Sequence, residues 1–243
     1  LTPTQQRRFV RRIYGSAEFI RGLERYCLWI NDEDLAEAQE ISSIAQRIED
    51  VRRMRLSGGA TAKELADRPH QFQRTIIGKQ STLIVPRVSS ETREYLPCGY
   101  EPSGSIASDA VCAMYDVPLW NMALIASRLH IVWVGAVCGK MKTDFRYSNT
   151  LGWNTFPIPT LTDKNKADLT RCAEEILLAR EHHFPATIAD LYDPENMPAD
   201  LRAAHDRNDE VLERIYIGRP FKTDTERLEK LFHLSTKMTA SAV

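Results

Sequence analysis

The spacing of apolar residues changes along the chain, and each change predicts a different kind of element. From residue 7 to 55 apolar positions mostly recur at three and four. Arg7–Ile13 reads as a basic amphipathic helix. Asp32–Arg55 places Leu35, Ala38, Ile41, Ile44, Ala45, Ile48 and Val51 on one face of a single helix. Between them Arg25–Ile30 is a short apolar run rich in strand formers. Ser57-Gly58-Gly59 stops the long helix, and Thr61 and Glu64 have capping-box spacing for a short helix over Thr61–Ala66. Ser81–Val88, Glu94–Tyr100 and Ile106–Tyr115 then read as strands, with Pro86 suited to an edge or bulge.

Leu119–Cys138 is apolar over about twenty residues, the length of a membrane span. Arg128 and His130 lie in its middle, where charge is costly in lipid, so the segment predicts a buried helix, locally extended near Ile131–Val134. Gly139–Pro159 reads as a polar loop followed by an extended aromatic and proline-rich segment. Helical spacing returns in Asp163–His182, Pro198–Tyr216 and Asp224–Leu234. The expected fold class is α+β: a strand-rich domain with helices over residues 1–160, then a small helical unit over 161–243.

Composition fits a folded globular chain, with 43% hydrophobic and 27% charged residues. The formal net charge of −1 does not mark a nucleic-acid binder. Its distribution is more informative. Residues 1–160 carry 20 Lys and Arg against 17 Asp and Glu, whereas 161–243 carry 12 against 16. A mildly basic body and an acidic helical tail are compatible with DNA binding by the body. Five scattered cysteines fit reduced thiols better than a metal or disulfide framework. The chain opens on Leu1 without a secretory pattern, which points to a cytoplasmic protein and to a fragment of a longer one.

The familiar catalytic signatures are missing: no glycine-rich phosphate loop, nucleophile elbow or HExxH pattern occurs. Asp193-Pro194-Glu195-Asn196 lacks the aromatic residue with which an amino-methyltransferase grips a flipped base. His205, Asp206, Asp209 and Glu210 share a predicted helix and could be imagined as a hydrolase centre, but a solvated helix face is the simpler reading.

Several segments in a fixed order carry a resemblance. They are Gly15–Ile20 and Arg25–Trp29, then Ile84–Glu91 followed by Arg93–Pro97. Next come His130–Val134 and Cys138–Ser148 running to Asn154–Pro157, and finally Leu191–Pro194 with Met197-Pro198, Leu201 and Ala204-His205. Together they resemble the C-terminal third of MmeI-like type IIL restriction–modification enzymes. Lys140 and Met141 stand where Arg and Leu are more usual, and Ile158 replaces a common Trp. The resemblance implies that this chain holds a target-recognition domain and a C-terminal helical domain, without catalysis of its own. The parent would be an adenine-specific DNA methyltransferase with an endonuclease, using S-adenosylmethionine and Mg2+ outside this fragment. The expected partners are double-stranded DNA and the methyltransferase domain of the same parent chain, with no membrane.

Within that reading Lys142 and Asp144 are the base-reading candidates. Two apart in an extended segment, they would point to one side, one donating to guanine and one accepting from the cytosine amino group. The resemblance implies that this pair specifies the base next to the methylated adenine. The plainer reading is a surface ion pair between the two. Lys140, Arg146, Ser148 and Asn149 on the same loop, and Arg87, Ser89, Ser90 and Arg93 after a strand, are candidate DNA contacts. Ser108, Asp109 and Ala110 are further candidates for specificity. The alternative to base reading is a helical scaffold or oligomerisation module.

Overall fold

The computed structural model describes residues 1–240. Helix α1 (Pro3–Phe9) begins with a capping box between Thr2 and Gln5. The helix expected over Arg7–Ile13 ends at Phe9, because the chain turns into strand β1 (Val10–Tyr14). After α2 (Ser16–Arg21), β2 (Tyr26–Leu28) pairs antiparallel with β1, which also pairs in parallel with β6 (Ile106–Ala107). Tertiary pairing overrides the local helical spacing here. The single helix expected over Asp32–Arg55 is a 3-10 turn (Asp32–Asp34), α3 (Leu35–Glu40) and α4 (Ser42–Ser57). It breaks at Ile41, whose backbone is extended. Phe9, Ile30, Ala38, Ile44 and Ile48 close a small core beneath these helices. Helix α5 (Ala60–Glu64) starts after Gly59, and no side chain caps it, so the Thr61–Glu64 capping box does not form.

The main sheet is built on β3 (Ser81–Pro86), which lies between β5 (Gly99–Pro102) and β7 (Val111–Tyr115), antiparallel to both. Leu83, Ile84 and Val85 are buried in succession, so both faces of the central strand are covered. Pro86 is tolerated because it is the last residue of that strand rather than an edge residue. Of the expected strand Glu94–Tyr100 only the end survives, in β5. The rest follows the short strand β4 (Val88–Ser89) as irregular chain.

The apolar run 119–138 forms two helices, α6 (Trp120–Ile125) and α7 (Arg128–Val137), and Ile131–Val134 is helical. Ser127 makes the break. Its hydroxyl donates to Leu124 O (2.6 Å) and accepts from His130 N (3.2 Å), terminating one helix and capping the next. Because Ser127 is fully buried, Ser127→Ala is expected to cost about 1–2 kcal/mol in chemical denaturation. A change under 0.3 kcal/mol would refute the capping role. Among the described residues no helix is long and apolar enough to cross a membrane.

The C-terminal part contains α8 (Asp163–His182), the short α9 (Ile188–Leu191), α10 (Ala199–Ile217) and α11 (Asp224–Ala240). Helix α8 packs on α10 and α6, and α11 packs on α7. One core therefore runs through residue 160: Leu83, Met122, Leu129 and Trp133 join Leu169, Ile176, Leu212 and Leu231. Polar groups of α10, two of them fully buried, serve the α6–α7 break. His205 Nδ1 meets Ala126 O (3.0 Å), Asn208 Nδ2 donates to Ala123 O (2.8 Å), and Asp209 Oδ1 accepts from Arg128 N (2.8 Å).

Candidate functional site

The segment read as a loop after Gly139 contains a third small sheet. Strand β8 (Lys140–Met141) turns into β9 (Asp144–Arg146), and β9 pairs with β4. Met141 is opposite Asp144, and Lys142 and Thr143 form the two-residue turn. Lys142 has φ +59°, the left-handed conformation that such a turn demands. The expected same-side pair of Lys142 and Asp144 on an extended strand is thus corrected, because Lys142 lies at the tip of the turn. Alternation along β9 instead puts Asp144 and Arg146 on one face and Phe145 on the other. Phe145 packs on the main core, and Gly135 of α7 makes room for it, since a Cβ there would lie 3.3 Å from its ring. The side chains of Asp144 and Arg146 are thereby directed off the core. Met141, 47% exposed and cross-strand from Asp144, shares that open face. Sequence reading did not single it out, although hairpin pairing would have placed it there.

The candidate contacts fall into two groups. Among the described residues no hydrogen bond or ion pair engages the side chains of Lys142, Asp144, Arg146 or Arg87, and Asn149 is exposed beside them on the π-helical turn Asn149–Trp153. In particular, Lys142 and Asp144 do not form the surface ion pair that offered the plainer reading. The others have structural roles. Lys140 lies 3.6 Å from Glu91 and over the Phe145 ring. Ser148 Oγ accepts from Leu151 N, capping the π-helical turn, and Ser90 Oγ meets Thr92 Oγ1 at 2.9 Å. Ser89 is 2% exposed and receives Arg93 Nη1 at 3.3 Å. It therefore supports Arg93 rather than presenting a hydroxyl to a ligand, because it shares the inward face with Phe145. Arg87 belongs to the same rim: its backbone N–H bonds Ala110 O (3.1 Å), and its carbonyl accepts from Tyr147 N (2.7 Å). The exposed Asp109 and Ala110 are thereby brought next to the β4–β9–β8 sheet.

The second cluster, around His205, is not a solvated face. His205 is fully buried, stacked on Tyr95 at a centroid distance of 4.1 Å and bonded to Tyr192 Oη (2.7 Å). Burial, with help from the Arg180 charge, pulls its pKa down to about 3. A charged cleft of about 600 Å³ lies beside it, lined by Glu94, Tyr95, Arg128, Asp209, Glu213 and Asp224 among others. Its carboxylates hold the fold together. Asp209 accepts from Arg128 N and from Tyr95 Oη (3.2 Å). Glu213 accepts from Phe221 N (2.8 Å) and Arg227 Nε (2.8 Å), and Asp224 binds Arg128 (2.6 Å). Only Asp206 and Glu210 face solvent as the sequence implied. A hydrolase would need a base and carboxylates free to meet a substrate. Among the described residues no group of three or more His, Cys, Asp and Glu side chains is placed to hold a metal ion.

Residues 1–160 match the family described as "MmeI, target recognition domain", and residues 161–243 match "MmeI, C-terminal domain". The class so defined is a target-recognition domain joined to a helical C-terminal domain. The chain belongs to the MmeI family. It is 38% identical over 232 residues to DNA methyltransferase A of Bacillus subtilis (strain 168), covering 95% of this chain and 26% of that protein. It also superimposes on the type IIL restriction–modification enzyme MmeI, solved in complex with DNA, with a TM-score of 0.92 and 30% identity. That match covers 98% of this chain and 32% of the other. The chain spans between a quarter and a third of the length of these relatives.

Proposed function

We propose that this chain is the double-stranded DNA-reading module of a restriction–modification methyltransferase, that the β8–β9 hairpin enters the major groove, and that the chain performs no catalysis itself. The observation that carries the reading is the open hairpin face, where Lys142, Asp144 and Arg146 are charged, directed off the core and uncommitted to other protein groups. A lysine donates to guanine O6 and N7, and an aspartate accepts from the cytosine amino group, so the two can read both halves of one G·C pair. Arg87, Asn149 and the exposed Arg146 suit phosphate or base-edge contacts around them. Lys140, Ser90 and Ser148 border this surface, with their side chains partly engaged within the fold.

In this reading residues 161–243 are the scaffold that sets the recognition surface, which the continuous core supports. The methyltransferase domain of the parent chain supplies the opposite wall of the DNA cleft. S-adenosylmethionine and Mg2+ act in the parent's other domains, and the protein works in the cytoplasm, where its DNA lies.

The test is a charge swap in the full-length enzyme, Lys142→Glu with Asp144→Arg, followed by mapping of methylated sites. The accepted base is expected to change at one position, with discrimination altered by about 1–3 kcal/mol. An unchanged site preference would overturn the base-reading role. Affinity for the site should also fall steeply as salt rises, as phosphate neutralisation requires.

A further inference from the structure

The open face of the β8–β9 hairpin carries one large apolar side chain among its charges. Residues directly opposite in an antiparallel pair point to the same face. Lys140 is opposite Phe145 and lies over its ring, so those two share the inward face. Met141 is opposite Asp144 and therefore stands outward with Asp144 and Arg146. It is 47% exposed and takes no part in the core. A methionine there does nothing for the fold that a polar residue could not do.

Its place in the register decides what it can meet. Opposed side chains stand about 4.5–5.5 Å apart at Cβ, and stacked base pairs are about 3.4 Å apart. When Asp144 reaches the edge of one base pair, the flexible, unbranched thioether of Met141 reaches the edge of a neighbouring one. Methionine has no hydrogen to donate and only a weak acceptor, so it cannot read the polar groups of the groove. The apolar group that the major groove displays is the thymine C5 methyl. Contact between the two takes exposed apolar surface of both partners out of water.

We propose that Met141 is a specificity-determining residue, which contacts a thymine methyl group in a base pair next to the one that Asp144 reads. This rests on the base-reading role of Asp144 proposed above.

The test uses the full-length enzyme. Asp144→Ala, with methylated sites mapped on duplexes varied at every position, locates the base pair that Asp144 reads. A T·A pair is expected beside it in the preferred duplex. Replacing that thymine with deoxyuridine, which lacks only the methyl group, should weaken binding about fourfold in a titration, as burial of one methyl group implies. Met141→Ala should bind the two duplexes equally, because the contact is already gone. Met141→Leu should keep most of the preference, and Met141→Gln, similar in length but polar, should lose it. Substitutions at so exposed a position leave the fold intact. The deoxyuridine penalty should persist from about 50 to about 200 mM salt, a range over which phosphate contacts weaken steeply.

Three results would overturn the contact while leaving Asp144 its role: no thymine in either neighbouring pair, no deoxyuridine penalty in the parent, or a penalty that Met141→Ala leaves unchanged. If Asp144→Ala relaxes no position, the base-reading assignment itself fails, and the Met141 contact falls with it.

Discussion

Replacing Arg180 with Met is expected to lower the thermal unfolding midpoint by about 6–12 °C, corresponding to about 3 kcal/mol in a chain of this size. Arg180 lies on α8 at 8% exposure, and among the described residues no carboxylate pairs with it. Its charge is held by hydrogen bonds and by an aromatic face. Nη1 donates to Cys98 O (2.6 Å), Nε donates to Tyr192 Oη (2.9 Å), and the guanidinium carbon lies 4.9 Å from the Tyr192 ring centroid. With Arg180 donating to it, the Tyr192 hydroxyl is left to donate its own hydrogen to His205 Nε2. That assignment fixes the His205 tautomer, so Nδ1–H donates to Ala126 O at the end of α6. Met preserves much of the stem volume but removes every donor, leaving Cys98 O and the Tyr192 oxygen without their charged partner. A midpoint within 2 °C of the parent in calorimetry would show that the relay contributes nothing.

Acid should unfold the protein through its buried histidines before most carboxylates titrate. Burial holds both His130 and His205 down at about 3, against about 6.5 in an unfolded chain. Their depressed pKa values give stability that is present above pH 6.5 and lost as pH falls towards 3. Asp209 acts with the opposite sign. Its surroundings push the carboxyl up to about 7, so its contribution is present below the ordinary carboxylate range and lost as pH rises through 7. Between pH 5 and 6 the unfolded chain binds about two histidine protons that the folded chain excludes, and releases the one that folded Asp209 keeps. The net is about one proton, so stability should rise by about 1 kcal/mol per pH unit. Asp209→Asn removes the opposing contribution, and the slope should roughly double. Urea unfolding across this window measures both slopes. A flat profile in the parent together with an unchanged slope in Asp209→Asn would contradict the assignment.

The parts of the fold that were legible from sequence are those where local pattern and tertiary demand agree. STLIVP gives a buried strand because Thr82, Leu83, Ile84 and Val85 at its centre are apolar or β-favouring, and the three C-terminal helices follow from apolar residues at three and four. The failures are positions where a distant partner decides. Val10–Tyr14 has helical spacing but pairs with two strands, one of them more than ninety residues away. Ile41 looks like a helix position and is a break. His205 seemed to lie on a wet face because its neighbours Asp206 and Glu210 are polar, yet the acceptor it satisfies, Ala126 O, is 79 residues distant. On the hairpin proposed to meet DNA, Lys142 and Asp144 could be singled out by residue type, but their arrangement could not be read from sequence. A two-residue turn with a left-handed lysine leaves little trace when the usual glycine or asparagine is absent. Ser89 failed for the same reason as Ile41, since its burial depends on a strand that arrives more than fifty residues later.

The core that crosses residue 160 has a consequence for how such proteins acquire new targets. Helix α7 is covered by α11 and α6 by α8, so exchanging residues 1–160 as a block between relatives would place foreign apolar surfaces against each other. The β8–β9 hairpin contributes a single side chain, Phe145, to that interior, while Lys142, Asp144 and Arg146 have no hydrogen-bond or ion-pair partner among the described residues. Diversification is therefore cheapest at the fingertip: point changes around Phe145 alter what is touched while the palm stays whole.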